Sequence, residues 1–124
     1  MITIRPISQQ REIIALFPYI SEIPFVDVTA ETMFARVLLG DFGMLVGEED
    51  GEICGVLIYN NKFPVFEIKG LHAKNQVSKF IGAFEKLLRE KKYTHIRAVS
   101  ALSEKAYTKV TGLKKLWSVY GKEL

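Results

Sequence analysis

The stretch VFEIKGLHAKNQVSKFIGAFEKLL, residues 65–88, changes period halfway along, and this limits the folds open to the chain more than any other feature. Up to Ala73 it reads as a strand. From Val77 onward, Val77, Phe80, Ile81, Phe84, Leu87 and Leu88 recur at the spacing of one helical face. A strand running into a long amphipathic helix leaves the helix's first amide groups unpaired where the strand ends, and an anion can sit there. Lys86, Arg89, Lys91 and Lys92 crowd the other end of the helix, where cations meet the negative pole of its dipole.

The chain before this junction supplies one strand, two helices and a hairpin. MITIRPI alternates as a strand that Pro6 is expected to stop, and Ser8 is a candidate N-cap for QQREIIALF, which Pro18 should kink or end. AETMFARVLL after Thr29 places Met33, Phe34, Val37 and Leu38 on one side, with Gly40 as its stop. GMLVGEEDGEICGVLIYNN reads as two strands joined through Asp50-Gly51, a dipeptide that readily takes positive φ, and a turn at NNKFP leads into the strand of residues 65–73. These three strands form an antiparallel meander. After the long helix come a strand in THIRAVSA, a short helix in SEKAYTKV with Ser103 as its cap, and a closing strand in KLWSVYGKEL. The predicted order is β-α-α-β-β-β-α-β-α-β.

A chain of 124 residues with 48% hydrophobic content fits one compact domain spanning residues 1–124. No apolar run approaches the roughly 18–20 residues that a membrane span needs, and no signal sequence opens the chain, so membrane association is not expected and a cytoplasmic location is. The lone cysteine, Cys54, cannot form an internal disulfide and reads as a buried strand thiol. Charge is divided unevenly. Residues 1–61 hold three basic against nine acidic side chains, a balance of −6, and residues 62–124 hold fourteen against five, a balance of +9. The second half is therefore suited to meeting an anion, although a bipolar solvated surface explains the split equally well. Nucleic acid is a poor candidate for that anion, because the half contains twelve lysines but only Arg89 and Arg97, without interleaved aromatics.

In this order the residues resemble the GNAT superfamily of N-acetyltransferases, over essentially the whole chain. The cues are a first strand ending in IRPIS; the hairpin GEEDGEICGVLIY, with Gly51 in an acidic turn and Gly55 before an apolar run; a strand leading into a long helix; and AYTKVTGL, similar to the family's aromatic-Tyr, helix, Gly-hydrophobic close. The ending GLKKLWSVYGKEL is also similar to compact, divergent acetyltransferase-like proteins encoded by bacteriophages. The resemblance implies an α+β fold with a mixed central sheet flanked by helices. It also implies that strands four and five splay so that acetyl-CoA inserts its pantetheine arm between them, with the helix start facing the pyrophosphate. Leu71, His72 and Ala73 then lie along the cofactor, and Ser78, Lys79, Phe80, Ile81 and Gly82 on the phosphate stretch.

That stretch departs from the family pattern of Gln or Arg, two residues, Gly, one residue, then Gly or Ala. Counted from Leu71, SKFIGA falls on it: only Ala83 matches, with Ser78 in place of Gln or Arg and Ile81 where glycine is expected. Counted from Gln76, Lys79 and Ile81 occupy the small positions. Lys74 and Lys79 offer point charges to a phosphate, or are solvated lysines at a helix start.

Acetyl transfer to an amine needs a base for the attacking ammonium, a donor to the thioester oxygen and an acid for the leaving thiolate. The resemblance places Tyr107 as the acid, with Gly112 five residues on where four is commoner, and Glu67 as base or water holder. Glu67 lies on the strand face opposite Phe66 and Ile68, beside Lys69, so a salt bridge is an equally natural reading. The backbone near Leu71 is the expected oxyanion donor. His72 and His95, which titrate near neutral pH, read as surface or strand-end residues. Trp117 and Tyr120 line an acyl pocket or pack as ordinary strand aromatics. No His or Cys pair has metal-ligand spacing. Two functions follow: an acyl-CoA-dependent N-acetyltransferase acting on a small-molecule or protein amine, with a homodimer left open, or a GNAT-shaped structural or binding module that has lost the cofactor's phosphate loop.

Overall fold

The computed structural model describes residues 1–23, 25, 28–74, 77–99, 114–116 and 119–124, and of residues 99, 114–116 and 119–122 the backbone. The elements are β1 (Thr3–Ile7), α1 (Gln10–Ala15), α2 (Phe17–Ile20), α3 (Ala30–Leu38), β2 (Gly43–Glu49), β3 (Glu52–Lys62), β4 (Val65–Ala73), α4 (Val77–Glu90), β5 (His95–Val99), β6 (Lys114–Leu116) and β7 (Val119–Glu123). They form one seven-stranded mixed sheet in the order β1-β2-β3-β4-β5-β7-β6. Neighbours are antiparallel except β4 and β5, which are parallel because α4 carries the chain across.

Strict alternation in β2, β3 and β4 gives the sheet two apolar faces, each covered by helix. Met44, Val46, Val56 and Ile58 point one way and pack with Ile13, Leu16, Ile20, Met33 and Val37 of the α1 to α3 layer. Leu45, Leu57, Phe66 and Ile68 point the other way and pack with Phe80, Ile81, Phe84 and Leu88 of α4. Phe80 explains two glycines at once. A methyl group at Gly47 would overlap its ring, and one at Gly55 would crowd it at 3.1 Å, so the glycine that opens GVLIY is the seat of a helix side chain. Burying a ring this size contributes about 2–3 kcal/mol.

Among the described residues the expected elements are present, with three local differences. Pro6 lies inside β1, opposite Leu45, and does not stop it: β1 is an edge strand, where a missing N–H is tolerated. The N-cap of α1 is Gln9, without a side-chain hydrogen bond, and not Ser8. Pro18 ends the first helix as expected: α1 closes at Ala15, and Pro18 lies in the first turn of α2. The closing strand is two short antiparallel strands, β6 and β7. Thr29 caps α3 as expected, its hydroxyl accepting from the Thr32 amide at 3.1 Å, and Asp50 and Gly51 take φ of 54° and 80° in the hairpin turn. The helix expected around residues 103–110 lies outside the described residues.

Candidate active site

The two edges of β4 differ along its second half. Its register with β3 shifts at one point: Ile58 opposes Gly70 and Tyr59 opposes Ile68, so Lys69 is an extra residue, a bulge. On the other edge β5 pairs only with Val65–Ile68, through His95–Ala98. Beyond the bulge, among the described residues, no strand pairs with that edge.

Hydrogen-bond alternation shows what that edge presents. The Lys74 amide donates to the Cys54 carbonyl of β3 at 2.9 Å. In an antiparallel ladder alternate residues face the partner, so Gly70 and His72 turn their amides to β3 while Leu71 and Ala73 turn theirs the other way, to the β5 edge. Of the three residues expected along the cofactor, Leu71 and Ala73 turn their amides to the β5 edge and His72 turns its amide to β3. Gly70 lets the chain ahead of α3 approach this point, because a methyl group there would overlap Phe25 and Ile23.

Side chains on the β4 face opposite α4 form two polar groups. Glu67 is almost buried and sits under three cations: Lys69 Nζ at 2.7 Å from Oε1, and Arg97 Nη2 at 2.6 Å and Lys62 Nζ at 3.3 Å from Oε2. Burial alone would raise its pKa, but the hydrogen bonds from Lys69 and Arg97 and the charges around it lower it from 4.5 to about 2. So acidic a carboxyl is a weak proton acceptor at neutral pH, and the ion-pair reading of Glu67 beside Lys69 is the one the geometry displays. Further along, His72 Nε2 lies 3.1 Å from Glu22 Oε2. Lys74 lies over the Tyr19 ring at 5.4 Å.

No family model matches the sequence, and no curated protein matches it. Solved structures do match. The ribosomal-protein-S18-alanine N-acetyltransferase from Escherichia coli superposes with a TM-score of 0.71 over 99% of this chain and 94% of its own, at 11% identity. Aminoglycoside acetyltransferase AAC(6')-Ib, in complex with coenzyme A and kanamycin, gives 0.70 over 99% and 95% at 12% identity. An IAA acetyltransferase from Bacillus cereus gives 0.65 over 100% of both chains at 9% identity. The fold is that of the GNAT acetyltransferases.

On the GNAT frame, α4 is the helix after the fourth strand, and its phase decides what its residues offer. An α-helix leaves only its first few amides unpaired, which here means the turn beginning at Val77. Ser78 and Lys79 lie in that turn and are exposed; Ile81 and Gly82 lie past it, where amides pair within the helix. Phe80 and Ile81 point into the core, so their bulk faces the sheet and not the helix end. Lys79 is turned toward β1: with Gly82, Ala83 and Lys86 it lines a cleft of about 550 Å³ beside Ile2 and Ile4, on the opposite side of α4 from β5. Lys79, read from the sequence as a point charge for a phosphate or a solvated lysine at a helix start, is exposed in the first turn with its side chain on the β1 side of the helix.

Tyr107 and Trp117 lie outside the described residues, as does the Tyr120 side chain. His95 is exposed at the start of β5 with Nδ1 3.0 Å from the Thr94 hydroxyl. Cys54 is half-buried, and burial pushes its thiol pKa up, away from nucleophilic character. Among the described residues no cluster of His, Cys, Asp and Glu is placed to hold a metal, and no helix is long and apolar enough to cross a membrane. Sequence reasoning missed Lys62, Arg97 and Glu22. Arg97 meets Glu67 across 30 residues of chain through the parallel β4–β5 pairing, and no local pattern encodes that register.

Proposed function

We propose that the protein transfers an acetyl group from acetyl-CoA to an amine. One observation carries this reading: past the bulge at Lys69, β4 presents the amides of Leu71 and Ala73 along an edge that, among the described residues, pairs with β5 only as far as Ile68. An edge of that kind accepts an extended chain of amide groups as it would another strand, which is the shape of a pantetheine arm. Acetyl-CoA supplies the thioester carbonyl that the amine attacks. The Leu71 amide is the donor to the oxygen on which charge develops, and the first-turn amides of α4 are the donors to phosphate.

The acceptor's proton needs a base. His72 fills this role, on the β4 face opposite α4 with its Nε2 3.1 Å from Glu22 Oε2. Glu67 stays ionised and keeps Arg97, Lys62 and Lys69 in place. Tyr107 is the acid for the thiolate, on the likeness of AYTKVTGL to the GNAT close.

Calorimetric titration with acetyl-CoA tests the reading. Micromolar binding is expected, and Tyr107→Phe should slow turnover with cofactor affinity unchanged. Absence of heat at millimolar acetyl-CoA would favour a GNAT-shaped binding module.

A further inference from the structure

We infer that Lys62, Lys69 and Arg97 form a recognition site for an oxyanion, a carboxylate or phosphate carried by the acceptor amine. The inference rests on the acetyl-transfer reading for the word acceptor, but the site itself stands on charge and exposure. Three cations surround one carboxylate, leaving a local excess of +2. Among the described residues no other carboxylate pairs with any of the three. The side chain of Glu67 is 12% exposed, whereas those of Lys62, Arg97 and Lys69 are 50%, 43% and 33% exposed. The carboxylate therefore sits beneath and the cations face outward.

Donors remain in that outward layer. Arg97 spends Nε and Nη2 on Glu67, and its other guanidinium nitrogen is uncommitted among the described contacts; each lysine has three N–H groups and one carboxylate contact. Lys69 is further fixed by the Phe42 ring, 5.4 Å away. Three like charges held this close repel one another, and a bound oxyanion relieves that repulsion with charge-assisted hydrogen bonds. Location gives the site its use. Lys69 is the bulge itself, one residue past the last described β4–β5 pair, and Glu67 and His72 share one face of β4, so an acceptor with its amine at His72 lies along the strand toward the cations.

The test uses O-phosphoethanolamine, its neutral counterpart ethanolamine, and inorganic phosphate. Binding is followed through the amide resonances of Glu67, Arg97 and Lys62, and transfer through kcat/KM. Phosphate and O-phosphoethanolamine should shift these resonances and ethanolamine should not. Lys62→Gln with Arg97→Gln should weaken phosphate binding about tenfold or more and abolish the preference for O-phosphoethanolamine. Lys62→Gln alone, at a half-exposed position, gives a smaller loss of the same sign should the double variant fail to fold. Equal handling of the two amines, or phosphate binding unchanged in the variants, overturns the inference. The two readings fail separately: acetyl-CoA binding without any phosphate response ends this inference alone, while phosphate binding without acetyl-CoA binding supports the oxyanion site and ends the transfer reading.

Discussion

The two edges of β4 are paired to different extents among the described residues. Against β3 it is paired along its full length, from Val65 opposite Lys62 to Ala73 opposite Gly55, with one bulge. Against β5 it is paired over four residues, and no further among the described residues. The β3 edge belongs to the part of the sheet held by Phe80 in its glycine seat; the β5 edge carries amides with no strand to satisfy them among the described residues. The same backbone thus serves stability on one side and recognition on the other, and the bulge at Lys69 marks the change.

Substitutions on the two sides should separate these roles. Phe80→Ala empties the seat over Gly47 and Gly55 and should lower unfolding free energy by about 3–5 kcal/mol in urea titration, the largest expected effect. His72→Asn, past the described β4–β5 pairs, should reduce turnover about a hundredfold while leaving the urea midpoint nearly unchanged; an equal loss of stability would make the His72–Glu22 pair structural. Glu67→Gln should act through pH. The folded pKa is depressed to about 2 from 4.5, so the ionised form stabilises the fold above about pH 4.5, and that contribution is lost as pH falls toward 2. The variant should lack this acid-side slope and be about 1 kcal/mol less stable at neutral pH, a modest figure because half-exposed cations are screened by water. The smallest effect is expected for Lys79→Glu, whose side chain lines the cleft by β1: acetyl-CoA affinity should change by about threefold at most through screened long-range charge. A much larger loss would return Lys79 to the phosphate.

Most of the fold was legible because period and punctuation are local. The β2–β3 hairpin through Asp50-Gly51, the capped α3 and the long α4 follow from residues within a few positions of one another. Pro6 and Ser8 misled because edge placement and cap choice depend on what lies beside them. The site was less legible for the same reason on a larger scale. The bulge at Lys69 shows in VFEIKGLHA only as a slip of the apolar positions from Phe66 and Ile68 to Leu71 and Ala73, the Glu67–Arg97 contact requires the parallel register of β4 and β5, and the outlook of Lys79 depends on how α4 is rotated over the sheet.

Residue-resolved hydrogen exchange along β4 tests the β5 edge most directly. The His72 amide, turned to β3, should exchange slowly; those of Leu71 and Ala73 should exchange much faster in the free protein and slow down when acetyl-CoA is added, with His72 unchanged. Leu71 and Ala73 amides as protected as His72 before any ligand is present, and indifferent to acetyl-CoA, would contradict a cofactor-binding gap between β4 and β5.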